Sequence, residues 1–332
     1  MELNLNYGTP ILWQSCLEVI LTMLLYGGAF VGLTMSTKAY SQIFFTIILA
    51  LTFLRIFIIQ HDCGHGSLFK SKAVNTLVGH LCSLFTLTPF NYWRKLHNYH
   101  HLHFGISGES DLGYIETSSV EEFQSKNKIE KFLYVFTRSP LSLLFIIAPF
   151  VFIIAYRIPF LLKILFKKLS LANLTKLDYI ECYLLDGLIM FIFGVLFHFF
   201  GSALLINYLI SLYLASAIGM LLFYVQHNID NLYYVQKSMW SQLEQGLKGS
   251  SFFKLPSILR WFTGNIGYHH IHHVCLKIPF YKLPTVHKLY SEQYSKVATI
   301  SIKDIPRLLS LKLYDTNQGK MITWREYKPK DS

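Results

Sequence analysis

Eleven of the fourteen histidines fall into four short groups: His61 and His65; His97, His100, His101 and His103; His227; and His269, His270, His272 and His273. Read as helix, the i, i+4 spacing of the first group and the i, i+3, i+4 spacing of His97/His100/His101 and His269/His272/His273 put each set on one face. Imidazole suits iron, copper, zinc and nickel, and spacing alone does not choose among them. At about four or five nitrogens per ion, the nine residues His61, His65, His97, His100, His101, His227, His269, His272 and His273 suit two ions. His103 lies about 240° round the helix from His97, off the ligand face, and is expected at the surface or behind a ligand. His270 is likewise kept out of the ligand set, as a residue supporting it from behind. His80, His198 and His287 read as ordinary satisfied histidines. A ligating imidazole usually donates its other N–H to a carboxylate or carbonyl. Asp62, inside the first group, is the expected acceptor; Glu109, Asp111 and Asp230 suit solvated loops or helix ends equally well.

The elements that must carry these residues are apolar. Apolar residues make up 52% of the chain and charged ones 15%, and the mean hydropathy is +0.37. That balance excludes disorder, collagen and a disulfide-rich secreted scaffold and points to a membrane protein. The five cysteines form no CxxC pair, which argues against a structural zinc site. No charge occurs from Gly187 to Asn228, about twice the roughly 20 residues that one crossing needs. Two spans are therefore expected, about Leu184–Phe200 and Leu204–Val225, turning near Gly201, Ser202 or Asn207. Ile11–Met35 and Ile43–Ile59, joined by Ser36–Gln42, form a second hairpin, and the first of these spans lacks the marks of a cleaved signal peptide.

Nearly all Lys and Arg lie in segments 61–183 and 227–332, so both termini and all four histidine groups are expected on the cytoplasmic side. The formal charge of +11 follows from that bias, or from a docking face for an acidic electron-transfer partner. Val74–Phe90 and Leu141–Phe166 are also apolar. They are read as interfacial or re-entrant, because one extra crossing would separate the histidine groups. Glu18 and Arg55, inside spans, are expected to snorkel to the interface. The tail, about Asp315–Ser332, reads as loosely packed. The expected fold is one all-α integral membrane domain over 1–332, with four transmembrane helices in two hairpins, interfacial helices and a His-rich cytoplasmic cap. Nothing points to nucleic acid.

The segments HDCGHGSLF (61–69), WRKLHNYHH (93–101), FYVQHN (223–228) and NIGYHHIHH (265–273), trailed by KIPFYKLP (277–284), resemble the membrane fatty acid desaturase family. The likeness is greatest to acyl-lipid desaturases of the Δ12/ω-3 type and their bacterial relatives, over about residues 40–314. It implies a di-iron centre with the nine histidines as ligands, O2 as co-substrate, and a lipid or carrier-bound acyl chain held in an apolar tunnel. With no fused haem or flavin domain evident, it also implies electrons from a separate ferredoxin or cytochrome b5-like protein, with Lys254, Arg260 and Lys277 as docking candidates. Relatives place a water-bridging Asn four residues before the isolated histidine. Phe223 stands there in this chain, and Asn265, four residues before His269, is the expected substitute. The same scaffold could serve a hydroxylase, an acetylenase or a carotenoid ketolase. A membrane metal transporter would want polar groups along its spans, which these spans nearly lack.

Overall fold

The computed structural model describes residues 5–108, 117–161 and 173–328. It is mostly helical: α1 (Leu12–Met35), α2 (Ala39–His65), α3 (Lys72–Thr86), α4 (Phe90–His103), α5 (Val120–Ser125), α6 (Lys128–Arg138), α7 (Pro140–Arg157), α8 (Lys176–His227), α9 (Gln242–Lys248), α10 (Ser257–Phe262), α11 (His269–Val274), α12 (Leu283–Leu289) and α13 (Ile305–Ser310). Helix α1 is apolar on every side but buries only Ser15, Thr22, Ala29 and Leu33. That stripe of mostly small residues lets its backbone approach its neighbours closely, as in membrane helix pairs. Helix α2 is the hub, buried almost continuously from Thr52 to His65, with α1, α3 and α8 packed around it.

The long α8 is a hairpin. Gly201 has φ 75° and ψ −178°, a conformation open to glycine alone, and there the chain reverses. Phe193 and Tyr208, about 22 Å apart on a straight helix, instead meet with ring centroids 5.8 Å apart. The turn expected near Gly201 is thus at Gly201, although the first arm starts earlier than expected, at Lys176.

Helices α3 and α4 meet at 99°, across a break where Leu87 takes φ +56°. That is the geometry of a broken span or a re-entrant segment, in keeping with the reading of Val74–Phe90. Of Leu141–Phe166, residues 162–166 lie outside the described residues. Its first part, α7, has the length and apolarity to cross a membrane, so it joins the four expected segments as a candidate span.

Two expectations need correction, and the fold adds one feature. Two short ladders join the mostly helical fold: β1 (Ser251–Lys254) pairs in parallel with β2 (Ala298–Ser301), and β3 (Leu311–Asp315) pairs antiparallel with β4 (Lys320–Thr323). Strands this short carry too few alternations to read from sequence. The tail is not loose as far as Tyr327. Met321 and Ile322 are buried in it, and the Trp324 and Tyr327 rings lie 5.2 and 5.7 Å from Phe123.

Nor does Arg55 snorkel. It is 1% exposed, ion-paired with Glu18, donates to Thr22 Oγ1 at 3.0 Å and to the Trp261 carbonyl, and lies over the Trp261 ring. Six residues before His61, it meets α1 and a returning loop before it could reach water.

Removing one partner of a buried ion pair leaves the other uncompensated, at about 3–5 kcal/mol. Arg55→Met should therefore lower the thermal midpoint of the detergent-solubilised protein, and adding Glu18→Leu should restore part of the loss. An equal or deeper loss in the double variant would show that the pair is not what matters at this position.

Candidate metal centre

Four elements deliver the histidines. The last turn of α2 carries His61 and His65; α4 carries His97, His100 and His101; the last residue of α8 is His227; and α11 carries His269, His272 and His273. All are buried except His97, which is half-buried and faces a cavity. His61, His65, His97, His101 and His272 bring one ring nitrogen each within 4.8 Å of one another, and His100, His227 and His273 do the same. His269 completes the second group, its Nε2 lying 2.8 Å from His227 Nε2 and 3.1 Å from His273 Nε2. The groups touch where His101 Nδ1 and His273 Nδ1 approach to 3.2 Å. The nine expected histidines thus gather as five and four.

The spacing fits metal binding. Imidazole–metal bonds of about 2.1 Å put nitrogens at right angles about 3.0 Å apart. In the first group His97, His101 and His272 show Nε2 separations of 3.0 and 3.2 Å. The buried His65 Nε2 has no hydrogen-bond partner among the described residues, as expected of a nitrogen placed for a ligand. Burial, reinforced by the neighbouring imidazoles, holds His269, His272 and His273 well below the ordinary histidine pKa. Their rings are neutral at pH 7, the form that offers a lone pair.

Behind the ligand face, hydrogen bonds fix ring orientation. His61 Nδ1 lies 3.2 Å from Asp62 Oδ1, and Asp62 Oδ2 accepts the Phe280 N–H at 2.7 Å, so Asp62 sits where the sequence placed it. Two further partners escaped the sequence reading. Gln245 Oε1 lies 2.9 Å from His273 Nδ1, and the Gly249 carbonyl lies 3.1 Å from His227 Nδ1. Gln245 stands 28 residues from its histidine in sequence, with no periodic signal, and a carbonyl leaves no trace in residue identity.

Two supporting residues were misplaced. Asn265 does not share the His269 face, because α11 starts only at His269 and Asn265 sits in the turn before it with φ +54°. Its Nδ2 donates instead to the Phe280 carbonyl at 3.2 Å. His270 points away from the ligands: its Nε2 lies 3.2 Å from His287 Nδ1 and its ring packs on Tyr294. Burial pushes it down to about 3. His103 is off the ligand face as expected, stacked on Tyr99.

Of the remaining candidates, His80 meets Asn91 and Glu181, and Asp230 pairs with Arg307. Glu109 and Asp111 lie outside the described residues. Lys277 is engaged by the His65 carbonyl at 2.7 Å; Lys254 is exposed and Arg260 half-buried. Phe223 presses its ring against His100 and His227, with centroids 5.0 and 5.3 Å away.

His61, His97, His100 and His269 open onto one cavity of about 1150 Å³, its mouth included, walled mainly by Phe53, Phe57, Trp93, Phe152, Leu212 and Phe223. Imidazole nitrogen donors beside an apolar space can present a bound metal to hydrocarbon.

Residues 39–302 match the family model described as fatty acid desaturase. The chain is 35% identical over 286 residues to a fatty acid desaturase of Bacillus subtilis (strain 168), covering 85% of this chain and 77% of that one. Two proteins of Synechocystis sp. follow: an sn-1 oleoyl-lipid 12-desaturase, 28% identical over 254 residues, and an sn-1 acyl-lipid omega-3 desaturase (ferredoxin), 26% identical over 249. Each match covers 72% of this chain, and 65% and 64% of the respective relative, just under two thirds of its length.

Losing an outer hydrogen-bond partner typically lowers metal affinity roughly 10–100-fold. Gln245→Leu should weaken metal retention to that extent in the purified protein, while His103→Ala should leave metal content unchanged. Full retention in Gln245→Leu, or loss in His103→Ala, would reverse these assignments.

Proposed function

We propose, since the chain belongs to the fatty acid desaturase family, that it is an O2-dependent membrane enzyme introducing a C=C bond into a lipid acyl chain at a pair of irons. The observation that carries this reading is the convergence of nine imidazoles, in groups of five and four, beside an apolar cavity that four of them line. Removing hydrogens from unactivated methylenes is beyond any side-chain acid or base, and bound iron with O2 and two electrons supplies that chemistry.

The protein's residues do the rest. His61, His65, His97, His101 and His272 would hold one ion, and His100, His227, His269 and His273 the other. Asp62, Gln245 and the Gly249 carbonyl hold three of these rings at fixed angles, so the metal geometry is set before substrate arrives. Phe223 and Trp93 line the cavity beside the imidazoles, where their rings would exclude water. An aliphatic chain lying along Phe57 and Ile58 would pass beside His61, His97 and His100, which line the same space.

The electrons would come from a separate carrier, a ferredoxin or a cytochrome b5-like protein. One relative's name specifies ferredoxin, and acyl-lipid names among the relatives favour a membrane lipid as substrate. The excess of Lys and Arg beside the histidine segments supports placing the metal end and both termini in the cytoplasm.

Expressed in a host without desaturases, the wild-type chain should yield new unsaturated acyl chains by gas chromatography and mass spectrometry. His101→Ala and His272→Ala should yield none, with less bound iron and normal membrane insertion. Hydroxylated chains in place of alkenes would move the reading to a hydroxylase on the same scaffold. Activity in either variant would remove that histidine from the site.

A further inference from the structure

Helix α6 (Lys128–Arg138) carries none of the nine histidines and has two unlike faces. Its start is closed locally: the Asn127 side chain accepts the Ile129 and Glu130 N–H groups at 3.0 Å, and Glu130 Oε2 accepts the Asn127 N–H at 3.1 Å. One face is fixed to the cap through Tyr134 and Arg138, which are buried one turn apart. The Tyr134 hydroxyl donates to the Lys312 carbonyl at 2.6 Å and accepts the Ser118 N–H at 3.1 Å, and the Arg138 carbonyl accepts from the Lys312 ammonium. Tyr134 also packs with Phe123, Leu313 and Ile322 in the core beneath the β3–β4 hairpin.

The opposite face has no such cover. Ile129, Phe132, Leu133 and Phe136 follow the i, i+3, i+4, i+7 spacing of one apolar strip, and Ile129 is 71% exposed, Phe132 66% and Leu133 50%. Lys126 and Lys128 stand at its N-terminal end and Lys131 one turn on, with Glu130 the only acid among residues 126–137. Eleven residues make a helix of about 16 Å, too short to cross a bilayer and too charged to lie inside one.

Its place in the fold says what covers the strip. At its C-terminal end the Arg138 guanidinium lies over the Tyr224 ring, 5.6 Å from the centroid, and Tyr224 is one turn from the end of α8 at His227. From that point α7 descends along the second arm of α8. Leu143 and Ala148 are buried with Met220 and Tyr224, and the Phe145 carbonyl accepts the Tyr213 hydroxyl at 2.7 Å, fourteen residues or about 21 Å from His227. Leu141, Phe145 and Ile146 of α7 are exposed, as are Ile206, Leu209 and Ile210 of that arm. The apolar strip of α6 thus continues into the outer surface of two helices able to span a membrane, at the level where those helices end. Hydrocarbon gives way to phosphate at that level, which suits an apolar strip with lysines at its end.

We propose that α6 is a membrane-surface anchor. Its apolar strip lies among the acyl chains, its lysines meet the phosphates of anionic phospholipids, and through Tyr134 and Arg138 it ties the β3–β4 end of the cap to the bilayer. The anchor goes beyond the desaturase reading and does not depend on it; it rests on α1, α2 and α8 being membrane helices.

The full chain, with Cys16→Ser and Cys275→Ser, would carry one spin label at Phe132→Cys, Leu133→Cys, Glu130→Cys or, as a control in α1, Leu24→Cys. It would be held in nanodiscs of phosphatidylcholine, alone or mixed with phosphatidylglycerol. Labels at positions 132, 133 and 24 should be relaxed by O2 several-fold more than by a water-soluble nickel chelate, and the label at 130 the reverse. Phosphatidylglycerol should draw the labels at 132 and 133 deeper, and Lys126→Glu with Lys128→Glu should abolish that shift while leaving both labels in lipid. Labels at 132 and 133 that meet the nickel chelate as freely as the one at 130 would overturn the anchor. Labels shielded from both reagents, with spin–spin broadening between chains, would replace the bilayer with a second copy of the protein. A phosphatidylglycerol shift untouched by the charge reversal would remove the phosphate contacts. A label at Leu24 in water would defeat the membrane reading and the anchor together, whereas a missing alkene product would leave the anchor standing.

Discussion

Nine imidazoles must be gathered at one end of an apolar bundle, and the rest of the architecture answers to that requirement. Rings this close would repel one another if protonated, and burial holds His269, His272 and His273 neutral. They come from four separate elements, so the centre depends on how firmly those elements are tied to α2. The most demanding case is the segment that carries His269, His272 and His273, which crosses back from Trp261 to Phe280.

Both ends of that segment are pinned to one face of α2. Arg55 takes the Trp261 carbonyl, and Asp62, two helical turns further on, takes the Phe280 N–H. Between them Gly264, with φ +52°, sits so close to Ile58 that an added Cβ would lie 2.5 Å from its Cγ2. Residues 55, 58 and 62 share one helical face. Asn265 ties the segment to itself by donating to the Phe280 carbonyl. The Arg55–Glu18 ion pair is thus part of the scaffold of the candidate metal site, and Asp62 both orients His61 and holds the loop that brings in the fourth histidine group.

What the sequence revealed follows from periodicity and length. The histidine groups, the hairpin at Gly201 and the off-face position of His103 are all consequences of 3.6-residue helices of bilayer length. What it concealed depends on where helices end and what lies across space. Asn265 has the right separation from His269 for a helix, but the helix has not yet begun there. His270 and His287, seventeen residues apart, meet only in the fold. Arg55 looked able to reach water because its neighbours Glu18 and Trp261 are distant in sequence. The paired strands and the packed tail were hidden by their brevity.

The central claim is that these nine histidines hold two irons with imidazole nitrogen as the dominant donor. Iron X-ray absorption on the purified protein, with metal counted per chain, tests it most directly. The account predicts two irons per chain, each with about four or five nitrogen or oxygen neighbours near ~2.1 Å, outer-shell scattering from imidazole, and no sulfur. A single iron per chain, a sulfur neighbour, or iron retained when His101 and His272 are both replaced would contradict it.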